Sequence, residues 1–231
     1  MIRSGSRMSG SALLSLLHLC DSLFPVGGFA HSDGLETATS AGTVRTVDDL
    51  RAWMEGCLQE ALARFEGPAV LRACEGWNRT AWEALSALDA EIYAMRASSA
   101  GRRAVRSMGT RLIRTWDGIH PECALDRLPV DLRSLTLPVA FGVVCAASGI
   151  AIAEAVEGYF YMRLAAIGSA AMRLMAVGQH DAHRLLADLL RSVPAEAAGV
   201  IERDAAPSAF APAYDIAAMS QQYVHSRLFR S

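Results

Sequence analysis

From Ser134 to Ala153 the chain carries no charged side chain, and a run of that kind has to be hidden from water, in a bilayer or inside a folded core. Pro138 decides between the two. It leaves the apolar run short of the ~20 residues that a membrane helix requires. Beyond it, Gly142, Ala146, Gly149 and Ala153 recur at helical spacing. Small side chains at that spacing let a second helix approach closely, so the segment predicts the centre of a soluble helical core and no membrane partner.

Elsewhere the chain keeps the helical period. Leu13, Leu14, Leu16 and Leu17 form one apolar face, and Leu50, Trp53, Met54, Cys57, Leu58, Ala61 and Leu62 recur at three and four. Thr46, followed by Val47-Asp48-Asp49, reads as the cap of that helix with acidic residues in its first turn. The spacing of Leu85, Leu88, Ile92 and Met95 continues through an arginine-rich stretch to Leu112 and Ile113. Between Pro138 and Gly178 two long buried helices are expected, the second carrying Tyr159, Tyr161, Arg163 and Arg173. Strand alternation is not evident. Breaks are expected at Pro25-Val26-Gly27-Gly28, Glu66-Gly67-Pro68, His120-Pro121, Leu128-Pro129, Gly178 and the Ala/Pro segment 205–213. No repeat separates two units. The predicted architecture is all-α, a single globular multi-helix domain over residues 11–204, with a flexible N-terminus at 1–10 and, at 205–231, a linker, a short C-terminal helix and a partner-binding tail.

With 231 residues, 52% of them apolar, the chain has ample material for a core. A net charge of −2 and a pI near 6.3 create no global field for nucleic acid. All 22 basic residues are arginine, and the absence of lysine excludes a phosphate-binding P-loop and imine chemistry. Cys20, Cys57, Cys74, Cys123 and Cys145 are odd in number, widely spaced and without a C-x-x-C pair, which points to reduced thiols in a cytoplasm. Arg3 and Arg7 precede an apolar run, and Leu17-His18-Leu19-Cys20 superficially matches a lipoprotein cleavage box. Leu19 is too large for that site and His18 interrupts the run, so export is not expected.

Local features with chemical potential are few. Arg96, Arg102, Arg103, Arg106, Arg111 and Arg114 run without an acidic residue between Glu91 and Asp117, either as a solvated helix face or as a docking surface for an acidic partner. His180 and His183 share a helix face at i,i+3, an incomplete metal site, and His120 with Cys123 is similar and further limited by Pro121. The glycines of Gly27 to Glu36 permit tight backbone paths before a helix, but the segment lacks G-x-G-x-x-G and a preceding strand. His31, Ser32 and Asp33 are too close in sequence to form a catalytic relay. No nucleophile–base arrangement is readable, so neither enzymatic activity nor a cofactor is expected. The closing Ser226-Arg227-Leu228-Phe229-Arg230-Ser231 sets two guanidiniums around an apolar pair, fit either for a partner's surface or for packing as a last turn on its own domain.

Together these segments resemble the urease accessory proteins called UreF. Leu14 to Glu36 reads LSLLHLCDSLFPVGGFAHSDGLE, like the family's N-terminal signature, and LPVAFGVVCAASGI, GYFYMRLAAIGSAAMRLMAVGQ and SRLFRS follow in the family's order. The resemblance spans nearly the whole chain. It implies an all-helical, non-catalytic protein that dimerises, binds a scaffold partner called UreD or UreH, and recruits the nickel-carrying GTPase UreG for delivery of nickel to apo-urease, positioning the GTPase or gating GTP hydrolysis. By the same resemblance Phe29, His31, Ser32 and Glu36 are candidate partner-facing residues, together with Arg102, Tyr223, Arg227, Leu228, Phe229 and Arg230. An aromatic such as Phe229 contributes ~2 kcal/mol or more when buried at an interface centre. The alternative reading is a metal-binding carrier built on His180 and His183.

The sequence also departs from the family pattern. His31 stands where tyrosine is common, Gln221-Gln222 replaces a His-Glu pair, and His183 stands where glutamine is frequent. The glutamate often found before the arginine near Arg102 is absent, which leaves the basic run less neutralised.

Overall fold

Pro68 has no amide N–H, so the carbonyl of Arg64, four residues back, loses its helical donor and is crowded by the pyrrolidine ring. In the computed structural model, which describes residues 10–26, 32–224 and 228–229, the helix does not stop there. Helix α3 is preceded by α1 (Gly10–Cys20) and α2 (Leu35–Ser40). It spans Val47–Gly56 and passes through a π-helical segment, Cys57–Glu66, into α4 (Gly67–Asn78). Gly67 N–H donates to Leu62 C=O, five residues back, as the wider helix requires. The carbonyls left over find partners from far along the chain. Arg64 C=O accepts from Ser208 N–H at 2.9 Å and Ala63 C=O from Arg203 Nη2 at 3.3 Å. The break expected at Glu66-Gly67-Pro68 is therefore a change of helical register within one rod. Thr46 caps its start as predicted, and the structure adds a reciprocal bond that makes a capping box: Thr46 Oγ1 accepts from Asp49 N–H at 3.1 Å and Asp49 Oδ2 accepts from Thr46 N–H at 2.9 Å.

After α5 (Trp82–Ala94), α6 (Ser99–Ile119) and a string of short 3₁₀ turns, α7 (Leu137–Ala147) forms the centre, buried from Leu137 through Cys145. It packs on α4 and α6 and on α8 (Ile152–Leu174). Burial on all sides explains the uncharged run, because no face of α7 from Leu137 to Cys145 meets water. Gly142 allows the closest contact: a Cβ there would lie 2.5 Å from Val70 O and 2.7 Å from Ala73 Cβ. Across the same contact Cys74 Sγ donates to Gly142 C=O at 3.2 Å. The small-residue stripe is not one continuous surface, since Gly149 takes φ 70° and ends α7, which leaves Ala153 on α8.

The periodicity predicted continuation from α5 into the arginine-rich stretch. The chain instead breaks, and Ser98 caps α6 by accepting from Gly101 N–H at 3.3 Å. The arginine run, expected to be less neutralised, has two of its members paired. Arg96 pairs with buried Glu66 and Arg106 with buried Asp89, carboxylates supplied by preceding elements. The other oxygen of Asp89 accepts from Thr136 N–H at 2.6 Å, fixing the residue that leads into α7. Helices α9 (Gln179–Leu190), α10 (Val193–Arg203) and α11 (Pro212–Ser220) complete the fold. Tyr214 on α11 donates to Trp53 C=O, its ring 4.4 Å from the indole. Among the described residues there is no strand, and no helix is long and apolar enough to cross a membrane. The fold is all-α.

Two glycines of α6 give opposite expectations for one substitution. A Cβ on Gly109 would meet Leu135 O at 2.1 Å and Thr136 C at 2.7 Å, both backbone atoms, whereas one on Gly118 meets nothing within 4 Å. Gly109→Ala should cost about 1–3 kcal/mol through overpacking. Gly118→Ala should raise stability by roughly 0.5 kcal/mol through lost chain entropy. Urea unfolding midpoints of the two variants check both signs.

Candidate functional site

The geometry of this site begins at a buried charge. Glu66, 2% exposed, sits at the end of the π segment, forms ion pairs with Arg163, whose Nε lies at 3.2 Å, and with the guanidinium of Arg96, and accepts from Tyr159 Oη at 2.8 Å. Burial pushes the Glu66 carboxyl up, but the charges of Arg163 and Arg96, with hydrogen bonds from Arg96 and Tyr159, outweigh it and hold the group at about 2. The same surroundings act oppositely on neighbouring groups. Burial, aided by the Glu66 charge, drives the Tyr159 hydroxyl well above its usual range, and burial pushes the Cys57 thiol up to about 12. These groups are structural and protonated; none is an activated nucleophile.

Arg163 carries the network to the turn before α2. Its Nη2 lies 2.8 Å from Asp33 Oδ2, and Asp33 and Gly34 both adopt left-handed backbone, φ 51° and 83°. Glycine is required at the second of these by proximity as well as by φ, because a Cβ on Gly34 would lie 2.9 Å from Ala217 Cβ of α11. Ser32 Oγ accepts from Glu36 N–H at 3.4 Å just beyond the turn.

Glu36 then faces the end of the chain. Its buried carboxylate accepts from the Gln221 side-chain amide, from Leu228 N–H and, at 3.3 Å, from Phe229 N–H, while Gln221 Oε1 accepts from Thr37 Oγ1 at 2.7 Å. Phe229 is 3% exposed with the Arg173 guanidinium 4.3 Å over its ring; Leu228 is 67% exposed. Segments about 190 residues apart in sequence thus meet on one carboxylate.

The candidate residues divide by placement. Ser32, Glu36 and Phe229 are buried within the chain and, as placed, offer little surface. Tyr223 at 79% exposure and Leu228 point outward. Arg102 donates to the carbonyls of Arg96 and Ala97 and is half-buried at the start of α6. Phe29, His31, Arg227 and Arg230 lie outside the described residues. The histidine pair is not brought to further ligands. His180 Nε2 faces Arg184 Nη2 at 2.7 Å, and a guanidinium, being a donor only, occupies that nitrogen's lone pair. His183 lines an apolar cavity of about 330 Å³ with Leu19, Phe24, Met172 and Leu186. His120 contacts Glu122 at 3.0 Å and His18 at 3.5 Å, and Cys123 Sγ lies 3.5 Å from Ser148 Oγ. Among the described residues no group of three or more His, Cys, Asp or Glu is arranged to hold a metal.

Sequence reasoning missed Glu66, Arg163, Asp33, Gln221 and Thr37 as parts of the site. Arg163 had a visible trace, a charge on an otherwise apolar helix face, and Gln221 was marked as a departure without its partner being evident.

The fold and site define an all-helical protein in which a buried carboxylate, Glu36, holds the main-chain amides of Leu228 and Phe229. The UreF family pattern matches residues 44–190. A urease accessory protein UreF from Azoarcus sp. is 35% identical over 224 residues, covering 95% of each chain. One from Methylibium petroleiphilum is 30% identical over 235 residues, covering 100% of this chain and 99% of the relative. A bifunctional urease accessory protein UreEF from Bordetella bronchiseptica is 30% identical and matches 97% of this chain within 53% of its own length. The chain belongs to the UreF family of urease accessory proteins, an accessory family and not a catalytic one.

The depressed Glu66 ionisation fixes a pH dependence. A carboxyl held at about 2 against an ordinary 4.5 stabilises the fold fully above the ordinary value and loses that contribution as pH falls through the window between them. The shift corresponds to roughly 3 kcal/mol. Glu66→Gln should abolish this part of the acid dependence and cost about 3–5 kcal/mol at neutral pH by removing the carboxylate partner of Arg96 and leaving Arg163 with Asp33 alone. Chemical denaturation of both proteins across that pH range measures it.

Proposed function

We propose that this protein acts in urease maturation as a non-catalytic bridge between a UreD/UreH-type scaffold and a UreG-type GTPase, during nickel delivery to apo-urease, and that it gates GTP hydrolysis on the GTPase. The observation that carries this reading is the Glu36 clamp. It holds the backbone of Leu228 and Phe229 while the side chains of Leu228 and Tyr223 stand exposed, and preordering lowers the entropic cost of docking. Two further features support it. The chain has no lysine for a P-loop, so nucleotide chemistry belongs on a partner. The Bordetella bronchiseptica relative is named as a bifunctional UreEF protein, in keeping with work beside other urease accessory proteins. The reading includes a homodimer in the cytoplasm and assigns Phe29, His31, Arg227 and Arg230, with Tyr223 and Leu228, to partner contacts.

Co-expression with the scaffold protein tests it. Removing Arg227 to Ser231 should abolish co-purification, and Leu228→Ala should weaken it about tenfold or more if Leu228 is an interface anchor. Glu36→Ala should match the truncation while leaving the helical circular dichroism intact. Undiminished binding by the truncated chain removes the tail from the mechanism.

A further inference from the structure

Three arginines of α6 face one way and have no acidic partner among the described residues. Arg103, Arg111 and Arg114 are exposed. At 3.6 residues per turn they fall within about 80° of the helix circumference and along about 16 Å of its length. The other members of the run are engaged: Arg96 with Glu66, Arg106 with Asp89, and Arg102 with two backbone carbonyls. Among the described residues none of the three has a carboxylate within the 4.0 Å of an ion pair, including Asp117 one turn beyond Arg114. Arg111 Nη1 reaches Val26 C=O at 3.4 Å, which sets Val26 beside the strip.

A face selected only for solubility mixes both signs, whereas α6 has no acidic residue before Asp117. The molecule as a whole carries −2, so the strip is a local positive field on a slightly negative body and orients an incoming surface. Guanidinium forks pair with carboxylates through two parallel hydrogen bonds, and Ser107, exposed between the arginines, leaves room for them. Nucleic acid fits less well. Trp116, the aromatic residue of α6, is fully buried, and no ring stands between the arginines for a base to stack on.

We infer that the outer face of α6 is a docking strip for an acidic protein surface on one of the accessory partners; that last clause rests on the proposed function, while the affinity for carboxylate-bearing chains does not. The strip sets the rate and orientation of encounter, and the terminal segment supplies the short-range contact.

Surface plasmon resonance on the full-length protein tests it, with the scaffold protein, the GTPase, a poly-glutamate peptide and a single-stranded RNA as separate analytes. The variants are Arg103→Gln/Arg111→Gln/Arg114→Gln and the corresponding triple change to Lys. The Gln variant should associate about tenfold more slowly with one protein partner at low salt, with the difference closing at about 0.5 M salt, and should lose poly-glutamate binding. The Lys variant should keep most of the rate and, through an unchanged thermal midpoint in all three proteins, shows that the Gln variant is folded. Wild-type association rates and salt slopes in the Gln variant for both partners and poly-glutamate overturn the strip. Loss of RNA binding alone overturns it in favour of nucleic acid. Salt-dependent poly-glutamate binding with no binding of either partner sustains the strip and defeats the proposed function, whereas tail-dependent partner binding indifferent to the Gln changes does the reverse.

Discussion

The arrangement of the molecule turns on one carboxylate that has left water. Glu66 sits where the rod α3–α4 changes register, and its charge is tolerable only because Arg163, Arg96 and Tyr159 converge on it. The partners come from two places: Arg163 and Tyr159 from α8, Arg96 from the connection before α6. Satisfying this one group therefore aligns three parts of the fold. Arg163 extends the alignment by holding Asp33 in the turn that leads into α2. Asp89 repeats the device on a smaller scale, tying Arg106 of α6 to the start of α7. Such networks bring specificity more than net stability, because the gain in attraction is offset by desolvation of every member.

Much of the helical framework was readable from spacing. The Thr46 cap, the amphipathic face from Leu50 onward and the burial of the Leu137–Cys145 stretch are local properties, set by residues three or four apart. The motif strings were enough to indicate the family. What could not be read was settled over long separations. Pro68 looks like a terminator unless the Arg64 carbonyl is known to meet Ser208, and the arginine run looks unbalanced unless Glu66 and Asp89 are known to face it. The candidate site shows the same division. Glu36 was singled out by its motif, but its partners Gln221, Leu228 and Phe229 lie at the other end of the chain, and no periodicity connects them.

Burial and exposure along α6 then separate two uses of one residue type. Arg96 and Arg106 are consumed in building the fold, whereas Arg103, Arg111 and Arg114 are left outward on the same run. Arginine suits both tasks because its guanidinium is weakly hydrated and keeps its charge when partly buried.

Glu36 grips the chain end largely through main-chain amides, those of Leu228 and Phe229. Any residue but proline provides such an amide, so the grip is indifferent to the identity of the side chain at Leu228. Retention and readout are thereby uncoupled: what keeps the segment in place asks nothing of the group it displays, and that group is free to be tailored to whatever surface it meets.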